Sequence, residues 1–348
     1  MYKCVAYTER MKDEWDRLAR ERGTVFHTTA FRDVLIRSFG YDCLYHAVVE
    51  GDHRVRALIP LVAGRNLGLR KVAVSLPFAN YTDICADDAE ALRFAIDSVP
   101  AIKDEARLGY VELRLKDQSV GGRTGWSASA HNYTFKLPLE GGEERVLALS
   151  TGSNRNHVRK AYKNDWFDVS FDAGRLEAFY RIYVRRMKQL GSPAPDIRFF
   201  RAFFELMPEH AHLLTVLDKQ SGSVAGGMLL LTSPGNSTVY YPYGANLIEY
   251  NSKYLNNFMY WEAAKFAMRG GFGHLDLGRS PAGSGTYRYK EQWGAKPEPL
   301  EYSVFDGGAG KSGPPDKESL GFFVELWKKT PKFVTDAAGK RLIKYIFP

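Results

Sequence analysis

The chain has 348 residues, enough for two domains of ordinary size, and 45% of them are apolar, which excludes global disorder. No apolar run reaches the ~18 residues of a membrane-spanning helix, and three widely spaced cysteines, Cys4, Cys43 and Cys85, argue against a disulfide framework or a structural zinc site and for a reducing cytosol. The net charge of +8 suits an ordinary basic surface or a polyanionic partner (a nucleotide-linked substrate, tRNA, anionic lipid heads), and charge alone does not separate these.

In chain order, Met1 to Tyr7 reads as an opening strand and carries no apolar stretch of signal-peptide length before Lys12 and Asp13. Phe31, Val34, Leu35 and Phe39 at helical spacing predict a helix over 28–39. Strands follow at 44–49 and 55–62, joined by a turn at Gly51-Asp52, and at 71–76. A helix over 87–107 and a strand over 110–115 complete the first half.

The second half repeats that order. Asn154 opens a helix; Phe179, Tyr180, Tyr183, Met187 and Leu190 predict another over 176–190, and a further helix covers 198–207. Strands are expected at 213–218, 224–232 and 238–243, with Ser221-Gly222 as the first hairpin turn. Ser252 is the expected cap of a helix that runs to about Arg269 and stops at Gly270-Gly271, and 274–277 is the last strand. Residues 306–319 are rich in Gly, Pro, Lys and Ser and read as a linker. A short helix over 320–328 and a basic, aromatic end follow, suited either to docking on its own domain or to an anionic membrane surface.

Helix, three antiparallel strands, helix, strand, twice and about 160 residues apart, is the order of a GNAT unit. The fold expected is therefore α+β: two tandem GNAT-like units, each a mixed, mostly antiparallel sheet flanked by helices. The domains are set at 1–150, 151–305 with the reaction centre, and 306–348 as linker and tail. The rival is a single mixed α/β domain.

Acyl transfer needs a positioned acceptor, relief of charge on the attacking nitrogen and stabilisation of an oxyanion. Lys290, after the glycine-rich Gly283-Ser284-Gly285 turn, is placed to face an anion, with Arg279 and Arg288 close in sequence. Asp276 is read as a general base or as the holder of Arg279. Tyr241 and Tyr243 end a strand and share a face under simple alternation, with Tyr243 toward the cleft. Asn156 and Arg159, with Asn154, Arg155 and Lys160, form either a phosphate site at a helix start or a solvated face. Glu112 and Arg114, on the matching strand of the first half, read as a structural pair.

Other chemistries lack their motifs. The eight histidines form no H-E-x-x-H and no ligand quartet with cysteine, so no metal site is expected. There is neither a G-x-S-x-G elbow nor a P-loop. Arg65-Asn66-Leu67-Gly68-Leu69-Arg70 approaches the [QR]-x-x-G-x-[GA] pyrophosphate loop of acetyl-CoA enzymes and fails at its last position.

Asp276-Leu277-Gly278-Arg279-Ser280, Gly285-Thr286-Tyr287-Arg288-Tyr289-Lys290 and Trp293-Gly294 resemble the strand and G-x-Y-x-F-K-x-x-[FW]-G signature of the FemAB family. Within it, the chain is most similar to the FemAB-like proteins of exopolysaccharide and exosortase (PEP-CTERM) systems. The stretches at 76–78, 153–161 and 327–331 agree, and the resemblance spans roughly residues 25 to 345. Tyr289 and Trp293 stand where the family has Phe, and the coiled-coil arm that some members insert for tRNA is missing.

The resemblance implies a twin-GNAT fold and transfer of an aminoacyl group from aminoacyl-tRNA onto the amine of a peptidoglycan precursor, with Lys290 at the acceptor phosphate and reaction centre. Taken with the reading of the residues themselves, the candidate catalytic residues are Lys290, Tyr243 and Asp276, and the candidate substrate-binding residues are Arg279, Ser280, Tyr287, Arg288, Tyr241, Asn156 and Arg159. No cofactor is firmly implied; the donor expected is acyl-CoA or aminoacyl-tRNA. The acceptor expected is an anionic, nucleotide- or lipid-linked envelope or exopolysaccharide precursor, met in the cytoplasm or at the inner face of the membrane through the tail. The rival readings are an acyl-CoA- or acyl-carrier-dependent N-acyltransferase and a catalytically silent twin-GNAT binding module.

Overall fold

The computed structural model describes residues 1–51, 54–308 and 317–348. The expected linker and Asp52 of the first turn fall largely outside that set. The described elements, in chain order, are β1 (Tyr2–Ala6), α1 (Lys12–Arg22), α2 (Thr29–Phe39), β2 (Asp42–Glu50), β3 (Arg54–Arg65), β4 (Lys71–Ser75), β5 (Cys85–Ala86), α3 (Ala89–Glu105) and β6 (Val111–Leu115). The chain continues through β7 (Trp126–Pro138), α4 (Gly142–Leu149), α5 (Gly152–Lys163), β8 (Phe167–Ser170), α6 (Leu176–Leu190), α7 (Ile197–Leu206), β9 (Ala211–Asp218), β10 (Val224–Ser233) and β11 (Thr238–Asn246). Then come α8 (Leu255–Arg269), β12 (His274–Asp276), β13 (Ser280–Pro281), α9 (Gly285–Glu291), β14 (Lys296–Phe305), α10 (Lys317–Lys329) and α11 (Lys332–Leu342).

Two compact units emerge, and their boundaries differ from those expected. The first comprises Met1–Asn132, the stretch that begins at Pro299, and Leu342–Pro348; the second comprises Tyr133–Glu298 and Glu318–Arg341. Pairing decides this. Val111–Leu115 of β6 and Glu301–Phe305 of β14 are antiparallel neighbours, so a strand from late in the chain completes the first sheet rather than ending the second. The tail likewise docks. Trp327 is 6% exposed, Lys340 pairs with Asp196 at 3.2 Å, and a Cβ on Gly191 would lie 2.5 Å from Val324.

In the first unit the order is β1-β2-β3-β4-β6-β14, with β5 against β3. The β4–β6 pair is parallel and the rest are antiparallel. Val55 and Ala57 to Ala63 of β3 are all buried, as befits a strand covered on both faces. Helix α2 starts at Thr28, whose hydroxyl accepts from Phe31 N, and stops at Gly40 in the left-handed region. Asp88 caps α3 by accepting from Glu90 N and Ala91 N.

The second unit repeats this plan as β7-β12-β11-β10-β9-β8, with β11–β12 as its parallel pair. In each unit the parallel strands are joined through one helix, α3 or α8, as a crossover requires. On one face α6 and α7 present Phe179, Tyr183, Phe199 and Phe200. On the other, Phe258, Met259 and Ala263 of α8 belong to a core with Val158 and Ala161 of α5. Ser252 does not cap α8: it lies in a 3-10 turn, and the helix starts after Tyr254, whose φ is 58°. Among the described residues, no helix is long and apolar enough to cross a membrane.

The Glu112–Arg114 pair is present at 2.8 Å and buried, and the guanidinium also donates to the carbonyls of Ala79, Phe347 and Pro348. Arg114→Leu strands the Glu112 carboxylate and should cost about 3–5 kcal/mol in chemical denaturation. Glu112→Leu combined with Arg114→Leu should recover part of that loss, since no side-chain charge is then left unpaired while the carbonyls of Ala79, Phe347 and Pro348 still lack their donor.

Candidate functional site

The parallel pairing of β11 with β12 lasts three residues, Thr238↔His274 to Tyr240↔Asp276. There β12 ends, while β11 runs on to Asn246 beside β10 alone. Against β10 the register slips, because Leu231 faces Tyr240 and Leu229 faces Tyr243, so Tyr241 and Pro242 together oppose one residue. This is a β-bulge, which bends the strand and breaks its alternation. The outcome is an open edge of β11 at the C-terminal end of a parallel pair, the position at which α/β sheets take ligands.

The loop after β12 closes that end. Gly278, at φ +78°, lets the chain turn back so that its N–H donates to Asp276 Oδ1 at 2.7 Å. Thr134 of β7 donates its hydroxyl to the same carboxylate at 2.9 and 3.1 Å. Ser284 caps α9 by accepting from Tyr287 N, and the short helix returns Lys290 to the loop. Lys290 Nζ donates to the carbonyls of Gly278 at 2.8 Å and Arg279 at 3.1 Å and lies 5.6 Å from the centre of the Phe135 ring. Burial lowers its pKa to about 8 against the opposing pull of the Asp276 carboxylate, with Arg279 lowering it further.

Lys290 is thus not a solvent-facing anion clamp. It is 6% exposed and holds the loop. Asp276, 1% exposed and already accepting from Thr134 and Gly278, positions the loop and is poorly placed as a mobile base. Ser280 is fully buried, and among the described residues its hydroxyl has no hydrogen-bond partner. Arg279 is exposed at the loop's apex; Arg288 is exposed and donates to the Gly283 carbonyl at 3.2 Å. Tyr287 packs edge-on against Phe135 and Tyr133.

The bulge corrects the expectation for the two tyrosines. Tyr241 meets Tyr260 of α8 at 5.5 Å, whereas Tyr243 points the other way, to Phe199 and Phe200 of α7 at 5.5 and 5.6 Å and Tyr183 of α6. They do not share a face. Burial pushes the Tyr243 phenol far up, so that it stays neutral in an aromatic core rather than serving a cleft as an acid or base. Tyr260 in turn stacks on Trp293 and meets Tyr289 edge-on; Trp293 Nε1 and the Tyr289 hydroxyl are buried.

Asn156 and Arg159 are exposed on α5, and no hydrogen bond or ion pair among the described residues ties them to the 276–290 loop. The buried position of that helix is Asn154, which accepts from Asn257 Nδ2 at 3.0 Å. Thr134 and Phe135 were not legible as site residues: Tyr133 to Leu137 alternates like a strand, but nothing local links it to Asp276, 142 positions on. Gly294, at φ +76°, is required because a Cβ there would sit 2.5 Å from the Leu149 carbonyl.

Residues 153–291 match the acetyltransferase (GNAT) domain model. The FemX crystal structure superposes with a TM-score of 0.67 at 16% identity, covering 86% of this chain and 96% of that one. The C-terminal domain of a putative lysylphosphatidylglycerol synthetase from Agrobacterium fabrum gives 0.57 at 11%, covering 91% and 95%. A tandem GNAT protein from the clavulanic acid biosynthesis pathway gives 0.54 at 11%, covering 91% and 100%. No curated protein sequence matches significantly.

Because Lys290 binds a proton more weakly in the fold than when unfolded, the unfolded state carries the extra proton between pH 8 and 10.5, and stability rises with pH across that window. Relative to Lys290→Met, the native protein should gain stability over that range, by an amount approaching roughly 3 kcal/mol. Urea midpoints of the two proteins measured from pH 7 to 10.5 check this; parallel curves would contradict it.

Proposed function

The chain has the FemAB-like tandem-GNAT fold, and from that premise we propose that it is an N-acyl or aminoacyl transferase acting on a cell-envelope or exopolysaccharide precursor. The observation that carries this reading is the open edge of β11, closed at one end by the Lys290-held loop with the unpartnered Ser280 hydroxyl on it. Unpaired strand N–H and C=O groups accept an extended amide-bearing donor as an added strand. A buried hydroxyl without a partner costs free energy that a substrate oxygen or amide relieves.

In this scheme Lys290 acts by fixing the carbonyls of Gly278 and Arg279, which sets where Ser280 and Arg279 stand. Ser280 orients the acyl carbonyl or the incoming amine. Arg279, exposed beside it, takes an anionic group of the acceptor or donor. The amine attacks the acyl carbonyl to form the C–N bond, and the tetrahedral oxyanion collapses with cleavage of the C–S or C–O bond to the donor. The proton lost from nitrogen goes to the departing sulfur or tRNA oxygen, so that the transferred group ends as an amide. Holding the reactants together supplies much of the acceleration. The place of action proposed is the cytoplasm or the inner face of the membrane.

The donor decides between aminoacyl-tRNA and acyl-CoA. The resemblance of the Lys290 stretch to the FemAB signature supports the first reading, and the matched acetyltransferase domain favours the second. Thermal unfolding against CoA, acyl-CoAs, UDP-sugars and charged tRNA separates them, since a ligand at ~100 times its dissociation constant stabilises by about 2.7 kcal/mol. Ser280→Ala should leave the unliganded melting temperature within about 1–2 °C and lower transfer with the responding donor about 10- to 100-fold. No shift with any donor would overturn the proposal in favour of a silent binding module.

A further inference from the structure

A cavity of about 820 Å³ lies in the second unit between the outer face of α6 and the two C-terminal helices. Helix α6 turns Phe179, Ile182 and Tyr183 toward the sheet and Tyr180, Val184 and Lys188 away from it, spaced by four residues. Tyr180, Val184, Ala194 and Trp327 give the cavity an apolar lining. Around them stand Arg181, Arg185, Lys188, Lys328, Lys332 and Lys340, and among the described lining residues there is no carboxylate. Arg185, Lys328 and Lys340 have acidic partners in Glu249, Glu325 and Asp196, none of which lines the cavity. Arg181 and Lys188 make no ion pair among the described residues.

The volume falls in the range of small-molecule sites, about 300–1,000 Å³. An apolar chamber whose described charged lining residues are all cationic is complementary to one class of molecule, a long apolar chain that ends in a phosphate. The chain leaves water for the Trp327 and Val184 surfaces, and the phosphate meets Arg and Lys, which bind it by charge-assisted hydrogen bonds. A neutral amphiphile gains only the first term and inorganic phosphate only the second. The cavity also lies apart from the Lys290 loop: it opens on the outer face of α6, whereas Tyr289 and Trp293, at the end of that loop, pack against α8 on the opposite side of the sheet.

We propose that this cavity binds a single-chain lipid phosphate, with its chain enclosed between α6, α10 and α11 and its phosphate on Arg181 and Lys188. The assignment stands independently of the transfer reaction. It gives the basic tail a role as the wall of a lipid site.

Calorimetric titration of the full chain with oleoyl lysophosphatidic acid, kept below its micellar concentration, tests the proposal. Saturable one-to-one binding is expected, weakened at least tenfold by raising salt from 0.05 to 0.5 M. Monoolein should bind at least tenfold more weakly, and inorganic phosphate should not saturate in the same range. Arg181→Glu with Lys188→Glu should lower affinity at least tenfold. Val184→Trp, which fills the chamber and leaves every charge in place, should abolish binding while circular dichroism stays native; it keeps the test decisive if the charge reversal fails to fold. Absence of saturable binding, equal binding of monoolein, or binding that survives Val184→Trp would overturn the proposal. So would attachment to anionic vesicles that Val184→Trp leaves intact, because that places the contact on a membrane surface instead of in the cavity.

Discussion

The three-residue parallel contact between β11 and β12 is the constraint on which the site depends. It is long enough to bring Asp276 beside Tyr240 and too short to cover the rest of β11. Just past that contact, β11 carries one extra residue against β10, the bulge at Tyr241-Pro242, which bends the strand. The bulge also separates two neighbouring tyrosines onto opposite faces, so that one joins the polar-tipped aromatic group of α8 and α9 and the other is absorbed by α7.

What keeps the end of the pair open is an arrangement of full-strength polar contacts around one turn. Asp276 accepts from Thr134 and Gly278, and Lys290 donates to two carbonyls of the same turn. Each group alone would be costly to bury, and together they satisfy one another. The lowered proton affinity of Lys290 records the part of its desolvation that the nearby carboxylate does not offset. Among the described residues, the buried hydroxyl of Ser280 on this turn has no hydrogen-bond partner.

The two units share a plan without sharing their strands evenly. Each has a parallel pair spanned by one helix, and each takes a further antiparallel strand from a distant part of the chain, β14 for β6 and β7 for β12. The helical tail is then packed onto α6, with Gly191 allowing Val324 to approach closely. The same packing encloses the cationic chamber.

Local pattern determined a good deal here. Helical spacing placed α2, α6 and α7 within a residue or two, apolar runs between turn residues placed β2 to β4 and β9 to β11, and the repeated order of elements implied the tandem fold. The Glu112–Arg114 pair was legible because residues two apart on a strand share a face. Tertiary structure alone decided the unit boundaries, since a strand's neighbour is chosen by long-range pairing that leaves no local mark. It also decided the direction of Tyr243, because a bulge is defined by a register against the partner strand. The roles of Lys290 and Asp276 followed the same rule. Their residue types announced polar chemistry, but whether an ammonium faces a substrate or two carbonyls depends on how a seven-residue helix folds back, and that is set by packing against Phe135 and Thr134 from far upstream.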